Sequence, residues 1–188
     1  MIEAEFGVRV ELRWKSFLLR PYPEPDRDLE KFRRYTEGWR RAATEEPEAV
    51  FRVWHSDEGP PTHSVPPHLL AKAAATFGRE PFLRVHDALL RAYFEESRDI
   101  SRAPTLRAIW AEAGLPEAEL VRAADPELLG QVSAEHNQAI ELGVGGVPAV
   151  QMAGGDAAIT GAQPADLYRR WIAKELSRAV PPGATPPA

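Results

Sequence analysis

Gly143–Ala149 reads GVGGVPA and stands between a long helical pattern and the last strands of the chain. Gly143 ends that helix, because glycine takes the left-handed cap without a Cβ clash. Gly145 and Gly146 then permit a tight backbone path into Val147-Pro148, a dipeptide held to extended or turn geometry. An X-Pro bond between a glycine turn and a strand is a place where cis peptides occur, although trans is the majority state. On its own the segment reads as an ordinary turn with a trans proline.

Downstream of it, Val147 to Met152 and Ala157 to Thr160 read as two short strands around Gly154-Gly155, a hairpin signal. A closing helix opens at Pro164, with Asp166 in its first turn and Leu167, Tyr168, Trp171, Ile172 and Leu176 on its apolar side. Val180 to Ala188, rich in proline, is expected to be a disordered tail.

Upstream, the pattern is helical for more than a hundred residues. Leu29, Phe32, Thr36, Trp39 and Ala43 recur at steps of three and four, a single helix with Gly38 as its weak point. Pro66 or Pro67 sits in the first turn of the next helix, whose buried stripe is Leu70, Ala73, Ala74 and Phe77. Phe82, Val85, Leu89 and Tyr93 mark another. Leu106, Ile109, Trp110 and Ala113 follow, ended by Gly114, and a last one runs from about Pro126 to Gly143. Phe51 to Trp54 is open between a brief strand and a helical turn.

The N-terminal part differs. Val8, Val10, Leu12 and Trp14 alternate with Arg9, Glu11 and Arg13, the period of a half-buried strand near a sheet edge. Met1 to Phe6 reads as the end of a helix closed by Gly7. The order is therefore strand, a long all-helical middle, strand, strand, helix: an α/β unit with a helical insertion.

GVGGVPAV followed by a short strand and TGAQPADLYRRWI resembles the C-terminal half of the DsbA-like branch of the thioredoxin superfamily, especially its cytoplasmic FrnE-like members. VRVELRWKSFLLRP resembles that family's second strand. HSVPPHLLAKAAATFG through LLRAYFEESRDISRAPTLRAIWAEAGLP resembles its helical insertion. The resemblance implies a thioredoxin-like sheet in which Val147-Pro148 is a cis-proline loop facing the redox site. It divides the chain into a split thioredoxin-like domain, 1–25 and 143–180, around a helical insertion, 26–142, with the tail at 181–188. It also implies that a first strand and a Cys-x-x-Cys helix precede residue 1. The sheet is thus expected to be incomplete, its missing strand lying between Val8–Trp14 and Val147–Met152. Each buried, unpaired backbone group costs about 1–3 kcal/mol. Three outcomes follow: upstream residues in the native gene, the favoured one; direct pairing of Val8–Trp14; or a second subunit filling the gap in a dimer.

Bulk properties limit the function classes. The 188 residues suit one domain, or one with a large insertion. A net charge of −5 gives no general attraction to nucleic acid or acidic membrane surfaces. No apolar run reaches bilayer-spanning length and no signal peptide stands at Met1, so a cytoplasmic location is expected. With no cysteine, these residues hold no disulfide, thiolate metal site or thiol nucleophile.

The expected chemistry follows from the resemblance. In that family a thiolate attacks a disulfide, and the backbone before the cis-proline pairs with an extended substrate. Carried over, Val147 and Pro148 bind substrate, Gly146 shapes the loop, and His63 or Ser64, at the start of an insertion helix, faces the cleft. None of them is a catalytic nucleophile. The partners expected are a peptide or protein thiol or disulfide, or a small thiol. The function expected is that of a thiol–disulfide oxidoreductase lacking its catalytic pair, inactive alone. The alternatives are a non-catalytic peptide- or thiol-binding module and a glutathione-dependent isomerase or transferase of the chromene-carboxylate isomerase or kappa type. Glutathione would be a cofactor only in the last case; otherwise none is expected. His55, His63 and His68 match no zinc spacing, so no metal site is assigned. His86 and His136 read as members of satisfied helix faces. Trp39, Trp54, Trp110 and Trp171 read as core or cleft aromatics, and Glu95, Glu96, Arg98 and Asp99 as a solvated charged turn.

Overall fold

A computed structural model describes residues 2–46 and 49–179. The expected tail, 180–188, lies outside the described residues. The chain forms two compact units, one of Met1–Lys15 with Gln138–Ala188 and the other of Ser16–Asn137.

The Ser16–Asn137 unit carries the helical middle. Helices α2 (Leu29–Thr36) and α3 (Trp39–Glu45) occupy the span read as a single helix. The interruption falls at Gly38, where glycine's low helix propensity makes a stop cheap. Asp28 caps α2, its Oδ1 accepting from the Lys31 amide at 2.8 Å. Helices α4 (Val65–Ala75), α5 (Arg79–Phe94) and α6 (Ala103–Glu112) follow, then a 3-10 segment, Glu117–Ala124, and α7 (Pro126–Glu141). The 3-10 segment is not foreseen by periodicity; it runs between Pro116 at its N-cap and Pro126, which opens α7. Phe51 to Trp54 is neither strand nor helix.

One core joins Leu70, Ala73 and Ala74 of α4 to Val85, Leu89 and Ala92 of α5 and to Ile109 and Trp110 of α6. Phe77 departs from the expected stripe. It lies beyond the end of α4, is exposed, and has the Arg122 guanidinium over its ring at 5.2 Å. A second cluster is aromatic: Phe32 and Trp54 meet edge-on at 5.1 Å, and Trp39 and Tyr93 at 5.2 Å. The extended segment from Ser16 to Arg20 is tied down by side chains. Ser16 donates its amide to Glu135 Oε2 at 2.7 Å, Leu18 to His136 Nδ1 at 3.2 Å, and Arg20 to Ser64 Oγ at 3.0 Å.

In the other unit, α1 (Ile2–Phe6) runs into a 3-10 turn, Gly7–Arg9, where Gly7 has φ +57°. The expected strand at Val8–Trp14 is absent. Val10 has extended dihedrals, but the sheet among the described residues holds β1 (Ala149–Gln151) and β2 (Ala158–Thr160) alone. Alternation sets which side chains share a face; only a neighbouring ladder makes a strand, and Val8 is fully exposed. The outcome in which Val8–Trp14 pairs directly into the sheet is therefore excluded for the described residues. β1 and β2 are antiparallel, with Ala149 opposite Thr160 and Gln151 opposite Ala158. The turn between them closes through Gly155 N donating to Met152 O at 2.9 Å, with Gly154 at φ +76° as a type II turn requires. Helix α8 (Ala165–Ala179) follows, with Ile172 buried and Leu167, Tyr168, Trp171 and Leu176 half-buried.

Candidate functional site

The loop that leads into β1 is built by helix α7 ending in a Schellman cap. Gly143 has φ +76° and its amide donates to Ile140 O at 2.9 Å, while Val144 N reaches Ala139 O at 2.9 Å. Val144 is buried, which anchors the turn, and Gly145 to Pro148 then cross to the strand. The Val147–Pro148 peptide is cis. Pro148 O accepts from Gly161 N at 2.8 Å, extending the β1–β2 ladder by one step. Val147 is 53% exposed, and neither its amide nor its carbonyl has a hydrogen-bond partner among the described residues. Gly146 is half-buried and Pro148 exposed. Among the described residues Val147 thus offers an unpaired amide, an unpaired carbonyl and an apolar side chain next to the start of β1.

His63 and Ser64 stand in the other unit, at the N-terminus of α4. Ser64 is engaged with the Arg20 backbone: its amide donates to Arg20 O at 2.8 Å and its Oγ accepts from Arg20 N. What remains to it is a hydroxyl proton to donate and one lone pair to accept with. His63 is half-buried, with Nδ1 2.9 Å from Thr62 Oγ1. Behind Thr62 the contacts continue. Its amide and its hydroxyl both donate to Ser101 Oγ, at 3.0 and 3.2 Å, and Ser101 Oγ donates to Asp99 Oδ1 at 2.6 Å. The Ser101 amide adds a second bond to the same carboxylate oxygen at 2.8 Å.

Asp99 is therefore no part of a solvated turn, since it is 5% exposed. Sequence reading missed it because EESRDIS looks uniformly polar, and only Ile100, which packs on the core, signals that the turn is drawn inward. Around this network the charges are arranged unevenly. Burial, then the neighbouring Arg20, depresses the Arg27 guanidinium, and Tyr93, Glu24 and Asp99 act in the other direction. Burial pushes the Tyr93 hydroxyl up to about 12, so it stays a neutral donor at physiological pH.

The other histidines are each engaged separately. His55 Nδ1 lies 3.0 Å from Ser97 Oγ, and His68 Nε2 3.2 Å from Phe17 O. Burial lowers His68 further than its carbonyl partner raises it. His136 Nδ1 accepts from Leu18, and His86 stacks on Phe82 at 5.5 Å. Among the described residues no three His, Asp or Glu side chains converge as metal ligands would. Trp54 and Trp110 are buried, donating their indole N–H to Glu58 O and Pro116 O, whereas Trp39 and Trp171 are half-buried.

A family model described as the DSBA-like thioredoxin domain matches residues 4–173. The chain belongs to the DSBA-like thioredoxin family. Solved structures agree on the fold. A candidate protein disulfide isomerase from Nitrosomonas europaea superposes with a TM-score of 0.75 at 17% identity, covering 95% of this chain and 88% of that one. The cytosolic disulfide reductase DsbM from Pseudomonas aeruginosa superposes with a TM-score of 0.63 at 20% identity, covering 85% of this chain and 83% of its own. No curated protein matches the sequence. The fold class is thus DSBA-like: a small thioredoxin-type sheet with a large helical insertion. DSBA-like proteins form a thiol–disulfide oxidoreductase family, and in these 188 residues the family's chemistry has no sulfur nucleophile, since cysteine is absent.

Proposed function

We propose that this chain supplies the substrate-holding part of a DsbA-like thiol–disulfide oxidoreductase of the cytoplasmic FrnE-like type, and that it transfers no electrons alone. The observation that carries the reading is the exposed Val147, whose backbone amide and carbonyl have no partner among the described residues beside β1. An extended peptide adds to such an edge by main-chain hydrogen bonds, with side-chain contacts giving selectivity. In this reading Val147 pairs with the substrate backbone while Pro148 and Gly146 fix the loop, and His63 and Ser64 are ligand-binding residues of the helical unit. The same reading divides the chain into a thioredoxin-like part, 1–25 and 143–180, around the insertion, 26–142. No described helix is long and apolar enough to cross a membrane, and the neighbour DsbM is a cytosolic protein, both in keeping with a cytoplasmic role.

Two measurements test it. In an insulin-reduction assay the 188-residue chain gives no turnover above background, because no thiolate is present to attack. Titration of an extended cysteine-containing peptide into the labelled chain shifts the amides of Val147 and Ala149, and Val147→Asp weakens that binding about tenfold by setting a charge against an apolar contact. Turnover by the chain, or peptide binding indifferent to Val147→Asp, refutes the proposal.

A further inference from the structure

Counted together as hydrogen bonds, the contacts behind His63 share one direction. The Asp99 carboxylate can only accept, so the Ser101 hydroxyl proton points to it at 2.6 Å. Ser101 Oγ has then spent its one proton, and it receives both the Thr62 amide and the Thr62 hydroxyl on its lone pairs. Thr62 Oγ1 has in turn given away its proton and faces His63 Nδ1, 2.9 Å away, as an acceptor. A short contact between an acceptor oxygen and a ring nitrogen requires the hydrogen on the nitrogen. In the neutral ring this arrangement is the Nδ1–H tautomer, in which Nε2 carries the lone pair. No described residue hydrogen-bonds Nε2, and the described residues include no buried side-chain nitrogen without a partner, so Nε2 is open to solvent.

We infer that His63 Nε2 is the acceptor for the S–H of a thiol ligand, and that Thr62, Ser101 and Asp99 are positioning residues that make it an acceptor. The inference rests on the reading of this protein as a thiol–disulfide family member, and deepens it by naming the redox form of the ligand. A thiol has a proton to give to Nε2; a disulfide or thioether sulfur has none. The site thereby selects the reduced ligand, by about three- to tenfold for one net hydrogen bond. Ser64 Oγ, which accepts from Arg20, keeps its proton and can donate it to an acceptor on the same ligand.

The test uses nitrogen-15 NMR of the full 188-residue chain above pH 7.5. Wild type is expected to show His63 with a proton bonded to Nδ1 and a bare Nε2. Ser101→Ala and Thr62→Val are expected to move the ring to the Nε2–H form common in free imidazole, while Thr62→Ser and Ser101→Thr keep the wild-type pattern. N-acetylcysteine amide is expected to shift the Nε2 resonance on titration, with its S-methyl derivative and its symmetric disulfide at least threefold weaker. Ser101→Ala is expected to abolish that preference. A wild-type Nε2–H tautomer overturns the inference, and so does equal binding of the thiol and its S-methyl derivative, or no binding of the thiol. Peptide binding that depends on Val147 is a separate measurement. If it persists when the thiol preference fails, only the assignment to His63 falls; if it fails as well, the function reading falls with it.

Discussion

Glu135 is a carboxylate taken out of water with its partners in place: Lys72 Nζ at 2.7 Å, the Ser16 amide at 2.7 Å and Gln131 Nε2 at 3.3 Å. Burial works against its charge, but Lys72 and Ser16 outweigh burial and hold the carboxyl below its ordinary 4.5. Removing one partner of such a pair costs more than the pair contributes, because the other charge stays buried. Glu135→Ala is therefore expected to destabilise the chain by about 3–5 kcal/mol, and Glu135→Gln by less because an acceptor for Ser16 survives. Urea midpoints at pH 7 measure both; equal costs would show that the charge does not matter. The pH dependence has two windows. His68 and His86 are held below their ordinary 6.5 chiefly by burial. The unfolded chain takes up those protons near 6.5 and the folded chain only at lower pH, so stability declines as pH falls below about 6.5. Glu135 adds a second decline below about 4.5, where the unfolded carboxyl protonates first and the folded one follows. A stability profile flat from pH 7 to 5 contradicts the histidine part, and His68→Gln is expected to flatten it in part.

At the scale of elements, two glycines make a matched pair. Gly143 sits at φ +76° in the α7 cap, a conformation that L side chains resist. Gly38 has φ −62° and ψ −19°, helical values, and a Cβ built there meets nothing closer than the Tyr35 carbonyl at 3.4 Å. Gly143→Ala is expected to cost about 1 kcal/mol, and Gly38→Ala to stabilise by about 0.4–1 kcal/mol through the unfolded chain. Thermal midpoints moving in the same direction for both would refute the assignment. Such signals explain what the sequence reveals at this scale. Gly114 and Gly143 as caps, Pro66 and Pro67 in a first turn and the 3.6-residue stripes of α5 and α6 are local, so local reading finds them. Val8–Trp14 is the counter-example. Its alternation is real, but a strand depends on a partner far along the chain, and periodicity carries no word of that partner. The candidate functional residues divide in the same way: the Gly143–Pro148 loop is legible in six consecutive residues, whereas Asp99, Ser101 and Thr62 meet only through tertiary packing.

At the scale of the molecule, the two units differ in how much they bury. Ser16–Asn137 holds the contiguous core of α4, α5 and α6, with Leu70, Val85, Ile109 and Trp110 almost wholly out of water. The unit of Met1–Lys15 with Gln138–Ala188 buries Val144 and Ile172 but leaves Val8, Trp14, Ile140 and Val147 exposed, and its sheet has two strands among the described residues. A two-stranded hairpin is marginal in water without more strands or a helix against it. Free energies of opening follow buried apolar contact, from near zero at thin elements to the global value in a core. Native-state hydrogen exchange on the 188-residue chain is thus expected to show the amides of Val150 and Ile159 opening at a lower free energy than those of Val85, Leu89 and Ile109. Raising denaturant should release the hairpin before the helices, and a peptide that pairs at Val147 should narrow the gap by adding bonds to the thin side. Equal protection across β1, β2, α5 and α6 without any ligand would mean that the sheet is held as firmly as the core, and Val147 would then lose its claim to be an edge awaiting a partner.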